Sequence, residues 1–282
     1  MNTYQMITNQ IISNLENATT WSDMISSGRP INITGRAYRG INLMLLYNSN
    51  FKSRIWGTFH QIIKHGGRVR RSEKSSIVGF WSKYKPEPSE QNKEPTERWY
   101  LKIYRVFNVE QCEFIEGNEY LESLDDQLNE EPIPKVPNEV VSEYLKRENI
   151  TLQRISQHSV PYYSPNKDFI SITDHILYKS NDEYFMSLFH ELTHSTGHPK
   201  RLNRFEVGNT VFGSQDYSLE ELVAEIGANF LSAETAIKPD FLNSVGYIKG
   251  WIPQLIEHPR WIVSAAAKAE QAVEYILKGG IS

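Results

Sequence analysis

Cysteine is all but missing from this chain: Cys112 is the single one in 282 residues, so no internal disulfide can form. The fold must rest on its core, and a chain of this length can bury enough apolar surface without covalent help. An unpaired thiol suits a reducing compartment, so a cytoplasmic protein is expected. Long apolar runs are absent as well. No stretch approaches the roughly 20 residues that a membrane-spanning helix needs. The opening MNTYQMITNQIISNLENATT has neither the cationic start nor the apolar run of a secretory signal. No membrane partner is expected. Internal repeats and coiled-coil heptads are lacking too, which excludes solenoid arrays and long zippers.

A strong charge of one sign is missing, but only on average. The formal net charge is -4. Residues 1–110 hold 16 Lys+Arg against 8 Asp+Glu, and the remainder holds 14 against 26. Such a split suggests two modules with different partners. A basic N-terminal module favours a polyanion, and nucleic acid is the commonest one inside a cell. The stretch GNEYLESLDDQLNEEPIPKVP, residues 117–137, is acidic and ends among prolines, as linkers do. The expected organisation is a domain over residues 1–125, a linker over 126–137 and a second domain over 138–282.

What is present falls into two patterns. Tyr4, Ile7, Ile11, Ile12 and Leu15 have helical spacing, and further helices are expected near 41–47 and 53–65, the latter stopped by Gly66-Gly67. Ile77 to Trp81 and Trp99 to Val109 are instead rich in aromatic and β-branched residues and read as strands. The polar, Pro-rich KPEPSEQNKEPTER between them reads as a long hairpin loop. Beyond the linker, helices are expected near 138–148, 181–195 and 218–235, with a last one from about Pro259 to Leu277. The fold class expected is α+β in two domains: an N-terminal mixed helix and antiparallel-sheet domain, and a mainly helical C-terminal domain.

Residues 190–194 read His-Glu-Leu-Thr-His. On a helix, positions i and i+4 lie on one face, so His190 and His194 can reach one metal ion. Glu191 then lies where a general base would activate water. Zinc suits imidazole ligands and commonly takes three protein ligands when catalytic. Tyr184, Phe185, Leu188, Phe189 and Leu192 make this an apolar helix, where two histidines and a glutamate need a purpose. The astacin-like pattern would require a third histidine where this chain has Lys200, and Gly197 separates His198 from the helix. A better third ligand is Glu221, on the expected helix 220-EELVAEIGANFL-231, with Glu225 one turn on bonding a ligand histidine. Glu220 and Glu225 are the alternative ligands on the same helix, and His198 is a further one. Tyr217, His198 and Tyr184 are candidates for an oxyanion-stabilising group.

The N-terminal half interleaves cations with aromatics. Arg36, Arg39, Lys64, Arg68, Arg70, Arg71, Lys74, Trp81 and Tyr104 are the candidate contacts for single-stranded DNA, which is held by backbone charge and by base stacking. No recognition helix of a double-strand reader is apparent. The basic 200-KRLNR-204 after the histidine motif could extend a DNA path toward the metal, or simply lie in solvent.

These residues also resemble a known family. Trp21, Pro30, Asn32, Gly35, 38-YRGINLMLL-46, the run Gly66-Gly67-Arg68-Val69-Arg70 and 107-FNVEQCE-113 look like the N-terminal domain of ArdC-type antirestriction proteins. HELTHSTGHPKRLNR, FGSQDYSLEELVAEIGANFL and the terminal Ala265, Ala266, Lys268, Ala269 and Ala272 resemble their second domain. This resemblance spans nearly the whole chain. It implies a single-stranded-DNA-binding domain joined to a zincin-like metallopeptidase domain, carried on plasmids, phages or other mobile elements. It implies protection of incoming DNA from restriction, and relatives associated with conjugation primases. Carried onto this sequence, it implies His190, His194 and Glu221 as zinc ligands and Glu191 as the catalytic group, with a host protein as a possible peptidase substrate. This chain departs from the pattern at Tyr47, where family members tend to carry Trp, and in its long charged loop 85–98. The rival expectations are a non-enzymatic strand-coating protein whose zinc is structural or vestigial, and a nuclease. The latter would call for a carboxylate-rich Mg²⁺ site that this motif does not supply.

Overall fold

The computed structural model describes residues 2–17, 29–47, 51–85, 96–114, 120, 135–155, 159–205, 215–237 and 250–278. The expected linker 126–137 and the loop 85–98 lie largely outside these residues, as does Trp21.

The N-terminal region is a mixed helix-and-sheet unit. Helix α1 (Thr3–Asn17) buries Ile7, Ile11 and Ile12 as its spacing predicts. Helix α2 (Ile41–Tyr47) is buried all round, which its run of apolar residues requires. The main sheet has the order β1 (Ile31–Asn32), β2 (Ile55–Thr58), β5 (Arg98–Asn108), β4 (Ser76–Tyr84). β1 is parallel to β2, and the other pairs are antiparallel. A second ladder pairs β3 (Gly67–Val69) with β6 (Cys112–Phe114). Buried Asn42 ties α2 to the sheet: its amide donates to Gly79 O at 2.9 Å and its Oδ1 accepts from Gly79 N at 2.7 Å.

The helix expected over 53–65 is a correction. Residues 55–58 form β2, and only Phe59–Lys64 is helical, as α3. Ile55 and Trp56 are buried between neighbouring strands, so ladder pairing overrides the local helical spacing. Thr58 and Gln61 then form a capping box that starts the helix.

The C-terminal region is mainly helical: α4 (Pro137–Glu148), α5 (Asn181–Ser195), α6 (Gln215–Thr235), α7 (Ile252–Glu257) and α8 (Trp261–Lys278). The last helix begins after Pro259, not at it. The Pro259 carbonyl instead accepts from Thr8 Oγ1 at 2.8 Å. An unexpected small sheet pairs β7 (Thr151–Ile155) parallel to β9 (Phe169–Thr173), with β8 (Tyr162–Ser164) antiparallel on the other side. β9 is buried almost throughout, so it lacks the alternation that marks a half-exposed strand. Among the described residues, no helix is long and apolar enough to cross a membrane.

One hydrophobic core runs through both regions, joining Ile7, Leu43 and Val78 to Phe189, Ile226 and Ala265. Gly40, at φ +55, brings its backbone against α8: a Cβ there would lie 3.7 Å from Ala266 O. Arg29 crosses the same seam to Glu234 at 2.8 Å and Glu270 at 2.6 Å.

Candidate functional site

The histidine helix is locally well specified. Ser180 caps α5 by accepting from Glu183 N at 3.1 Å, and Asp182 and Glu183 favour the positive N-terminal dipole. Phe185, Leu188, Phe189 and Leu192 bury the helix. His190 and His194 then meet edge to face one turn apart, with ring centroids 4.7 Å apart and their Nε2 atoms 3.1 Å apart.

The third group comes from α6, which crosses α5 closely because residue 227 is glycine. A Cβ on Gly227 would lie 2.5 Å from the Thr193 side chain. This approach sets the Glu221 carboxylate against both rings: one oxygen lies 3.4 Å from His190 Nε2, the other 3.4 Å from His194 Nε2. Among the described residues, His190, His194 and Glu221 are the one group of ligand-type atoms lying within 4.8 Å of one another. A tetrahedral ion with bonds of about 2.0–2.1 Å would separate its ligand atoms by about 3.3–3.4 Å. The contacts of 3.1 to 3.4 Å fit such an ion. Each of the three side chains keeps a small exposed area, whereas Glu191 is buried.

Behind the rings the outward-facing nitrogens also have partners. Glu225 lies 3.5 Å from His190 Nδ1, in the supporting position expected for it. Glu220, expected only as an alternative ligand, instead lies 3.5 Å from His194 Nδ1. Arg204 holds Glu220 through two contacts, Nε–H at 3.0 Å and Nη2–H at 2.7 Å. The same guanidinium donates to Thr193 O and Thr196 Oγ1, both at 2.8 Å, and so fixes the end of α5. Sequence reasoning missed this role of Arg204. The only local signal was a cation close after an apolar helix.

The electrostatics follow from this packing. Burial lowers the pKa of His190, but the Glu221 and Glu225 contacts outweigh it and bring it to about 10. His194 is raised for the same reason, by Glu220 and Glu221 against burial. Burial would raise the Glu220 and Glu221 carboxyls, but their histidine contacts, and Arg204 at Glu220, pull both down. The cluster is thus four carboxylates, counting Glu191, around two imidazoles. Even with the Arg204 guanidinium counted against them, the carboxylates leave the cluster net negative, which favours a cation between them.

The 200-KRLNR-204 segment is another correction. Arg201 is 1% exposed and donates to Ser195 O at 2.6 Å and to Asp168. Arg204 is 6% exposed. Both point inward, so neither arginine extends a DNA path, while Lys200 and Asn203 of the same segment stay exposed. His198 lies beyond the end of α5 with its Nδ1 accepting from Lys200 N at 3.1 Å, beside Asp168 and apart from the three-ligand group. The side chain of Tyr217 lies outside the described residues. Tyr184 packs edge-on against Tyr178, Phe185 and His175.

The N-terminal candidates divide. Arg39 pairs with Glu270 and Glu274 of α8, Arg68 with Glu113, and Arg70 with Glu73. Arg36, Lys64, Arg71 and Lys74 are exposed, and no ion pair forms at them among the described residues. Trp81 stands exposed on the β4–β5 ribbon, whereas Tyr104 is half-buried, with Lys102 5.1 Å over its ring. Phe80, Tyr84, Trp99 and Tyr100 are also exposed on this ribbon, and Trp56 is core. Ribbon pairing alternates the rings between two faces: Trp81 and Lys83 lie opposite Leu101 and Trp99, while Phe80 and Ser82 lie opposite Lys102 and Tyr100.

Residues 139–268 match the family model described as zincin-like metallopeptidase, and residues 1–107 match that of the N-terminal domain of anti-restriction factor ArdC. Escherichia coli DNA primase TraC is 30% identical over 97% of this chain, which spans 27% of the primase. Uncharacterized protein y4eC of Sinorhizobium fredii is 27% identical over 97% of this chain and 91% of its own length. The crystal structure of metal-free antirestriction ArdC protein from R388 plasmid aligns with a TM-score of 0.77 at 29% identity, covering 100% of both chains. Its Mn(II)-bound structure aligns at 0.72 and 30% identity, covering 98% of this chain and 97% of that one.

Proposed function

We propose, from the premise that the chain belongs to the ArdC-type antirestriction family, that it binds single-stranded DNA and carries a zinc-dependent peptidase site. Residues 1–125 are the strand-binding unit and residues 138–282 the metal-holding unit in this reading. The observation that carries it is the donor triangle of His190, His194 and Glu221, sized for a small tetrahedral ion. Two imidazoles and one carboxylate are a donor set that suits zinc, although the R388 relative is described with Mn(II).

Zinc held there would supply Lewis acidity to a peptide carbonyl and to a water. This chain's residues do the rest. Glu225 and Glu220 orient the two rings through their Nδ1 atoms, and Arg204 holds Glu220 in place. Glu191 takes a proton from the attacking water and returns it to the leaving amine. On the N-terminal side, exposed rings of the β4–β5 ribbon stack on bases, and the cations Arg36, Lys64, Arg71 and Lys74 neutralise backbone phosphate. Antirestriction then follows from shielding an entering strand, with a host protein as the peptidase substrate.

The test compares wild type with Glu191→Ala in elemental analysis, in single-strand binding and in protection of DNA from restriction. The reading expects metal and strand binding retained and protection lost. Protection unchanged in Glu191→Ala would leave a non-enzymatic strand-coating protein. Absence of stoichiometric metal from wild type would remove the peptidase site altogether.

A further inference from the structure

The ribbon surface does not end with the N-terminal region. Trp81 and Trp99 share one face of the ribbon and stand diagonally across its two strands, since Trp81 pairs with Leu101 and Lys83 with Trp99. They are 51% and 61% exposed. Aromatics of this size are usually core, and leaving two of them open on neighbouring positions adds nothing to folding. The ring of Trp81 lies 6.5 Å from that of Tyr4 on α1. Over Tyr4, at 5.0 Å, lies the guanidinium of Arg260. Arg260 is exposed and belongs to the turn between α7 and α8, in the C-terminal region. That turn is fastened to α1 by the Thr8 hydroxyl on the Pro259 carbonyl. At the far end, the Lys83 ammonium lies 5.1 Å over the Trp99 ring. Three rings therefore follow one another with a cation at each end, Lys83 sharing its charge with exposed Glu97 at 3.2 Å, and the file crosses the seam between the regions.

We propose that single-stranded DNA follows this stripe from Trp99 through Trp81 and Tyr4 to Arg260, so that the C-terminal region itself contributes a contact to the bound strand. This rests on the single-strand reading of the ribbon given above. Every base has a π-face, so rings in file accept any sequence, and the long, exposed side chains of Lys83 and Arg260 can turn from the ring faces to the phosphates as bases take their place. A protein partner fits this surface less well, because the centre of a protein interface is depleted of charge while this stripe keeps cations over its rings. A strand held along the stripe touches both regions at once. It thereby keeps the metal-holding region on the DNA.

The experiment measures anisotropy of a labelled oligothymidine of about 20 nucleotides with the full chain, over a range of salt. Trp99→Ala is compared with Arg260→Gln and with Tyr4→Leu, the last keeping apolar volume against the core. Thermal melting of each variant checks that it is folded. Arg260→Gln is expected to weaken binding several-fold and to reduce the salt slope by about one. Tyr4→Leu is expected to weaken it about 5-fold or more. If Trp99→Ala weakens binding while the other two leave affinity and salt slope unchanged, the ribbon binds DNA but the proposed path is wrong. If wild type binds no oligothymidine, the single-strand reading fails and the path with it.

Discussion

Around His190, charges are buried and almost every one is answered by another. Around Trp99, rings stand in water, and the cation over that ring, Lys83, has only an exposed ion pair with Glu97. In the helix pair, both ring nitrogens of each histidine face a carboxylate, and one of the outer carboxylates is held by a buried arginine. In the ribbon, the aromatic rings exceed what the core uses, and their nearest polar contacts are long cation–ring approaches. A metal centre needs a fixed cage, because ligands out of place by an ångström lose the ion. A surface for strands of any sequence needs open π-faces and mobile charge, and gains nothing from a cage.

The contrast can be broken most sharply at the cage. His194→Ala removes one proposed ligand and one partner of Glu220, and elemental analysis should show the wild type's metal lost while oligothymidine binding stays near wild type. Loss of both together would mean that the two surfaces are not separable.

Arg204→Gln comes next. Removing one partner of a buried ion pair strands the other, at a cost of about 3–5 kcal/mol. The melting temperature of the metal-free protein should fall accordingly, with weaker metal uptake in a chelator competition. An unchanged melting temperature would show that Glu220 needs no buried partner. At the ribbon, Trp99→Ala should cost about 1–3 kcal/mol in strand affinity. It should change stability by no more than about 0.5 kcal/mol, as exposed sites do.

The smallest expected effect is on acid stability. Burial would raise the Asp168 carboxyl, but hydrogen bonds from Arg201 and Tyr163 outweigh it and lower it. A carboxyl with a lowered folded-state pKa stabilises the fold above its unfolded value of about 3.9, and that contribution is lost as pH falls through the folded value. Between about pH 5 and pH 3, wild type should therefore lose more melting temperature than Asp168→Asn. Asn tolerates the left-handed backbone at this position, φ 51. Equal losses would remove the pair from the acid response.

Much of this was legible from local pattern. The helix carrying His190 and His194 has the bounds its spacing predicts, and the ribbon strands fall on the aromatic, β-branched runs. The small sheet over 151–173 was not legible, because β9 is buried almost throughout and β7 is mostly exposed, so neither strand alternates. Nor was the helix over 53–65 refutable from its own residues, since what made it a strand is pairing with residues 31–32 and 106–108.

The sequence by itself determined that two histidines share a helix face, that acidic residues recur on a second helix, and that cations and aromatics crowd the first half. These are consequences of periodicity and composition, which act over a few residues. Only the tertiary structure decided that Glu221 faces both rings while Glu220 and Glu225 stand behind them. It also decided that Arg204 turns inward, that Arg39 is spent on α8, and that Arg260 lies over Tyr4. Those meetings join residues far apart in the chain. They depend on how closely whole elements pack, as at Gly227 against Thr193, which no local pattern encodes.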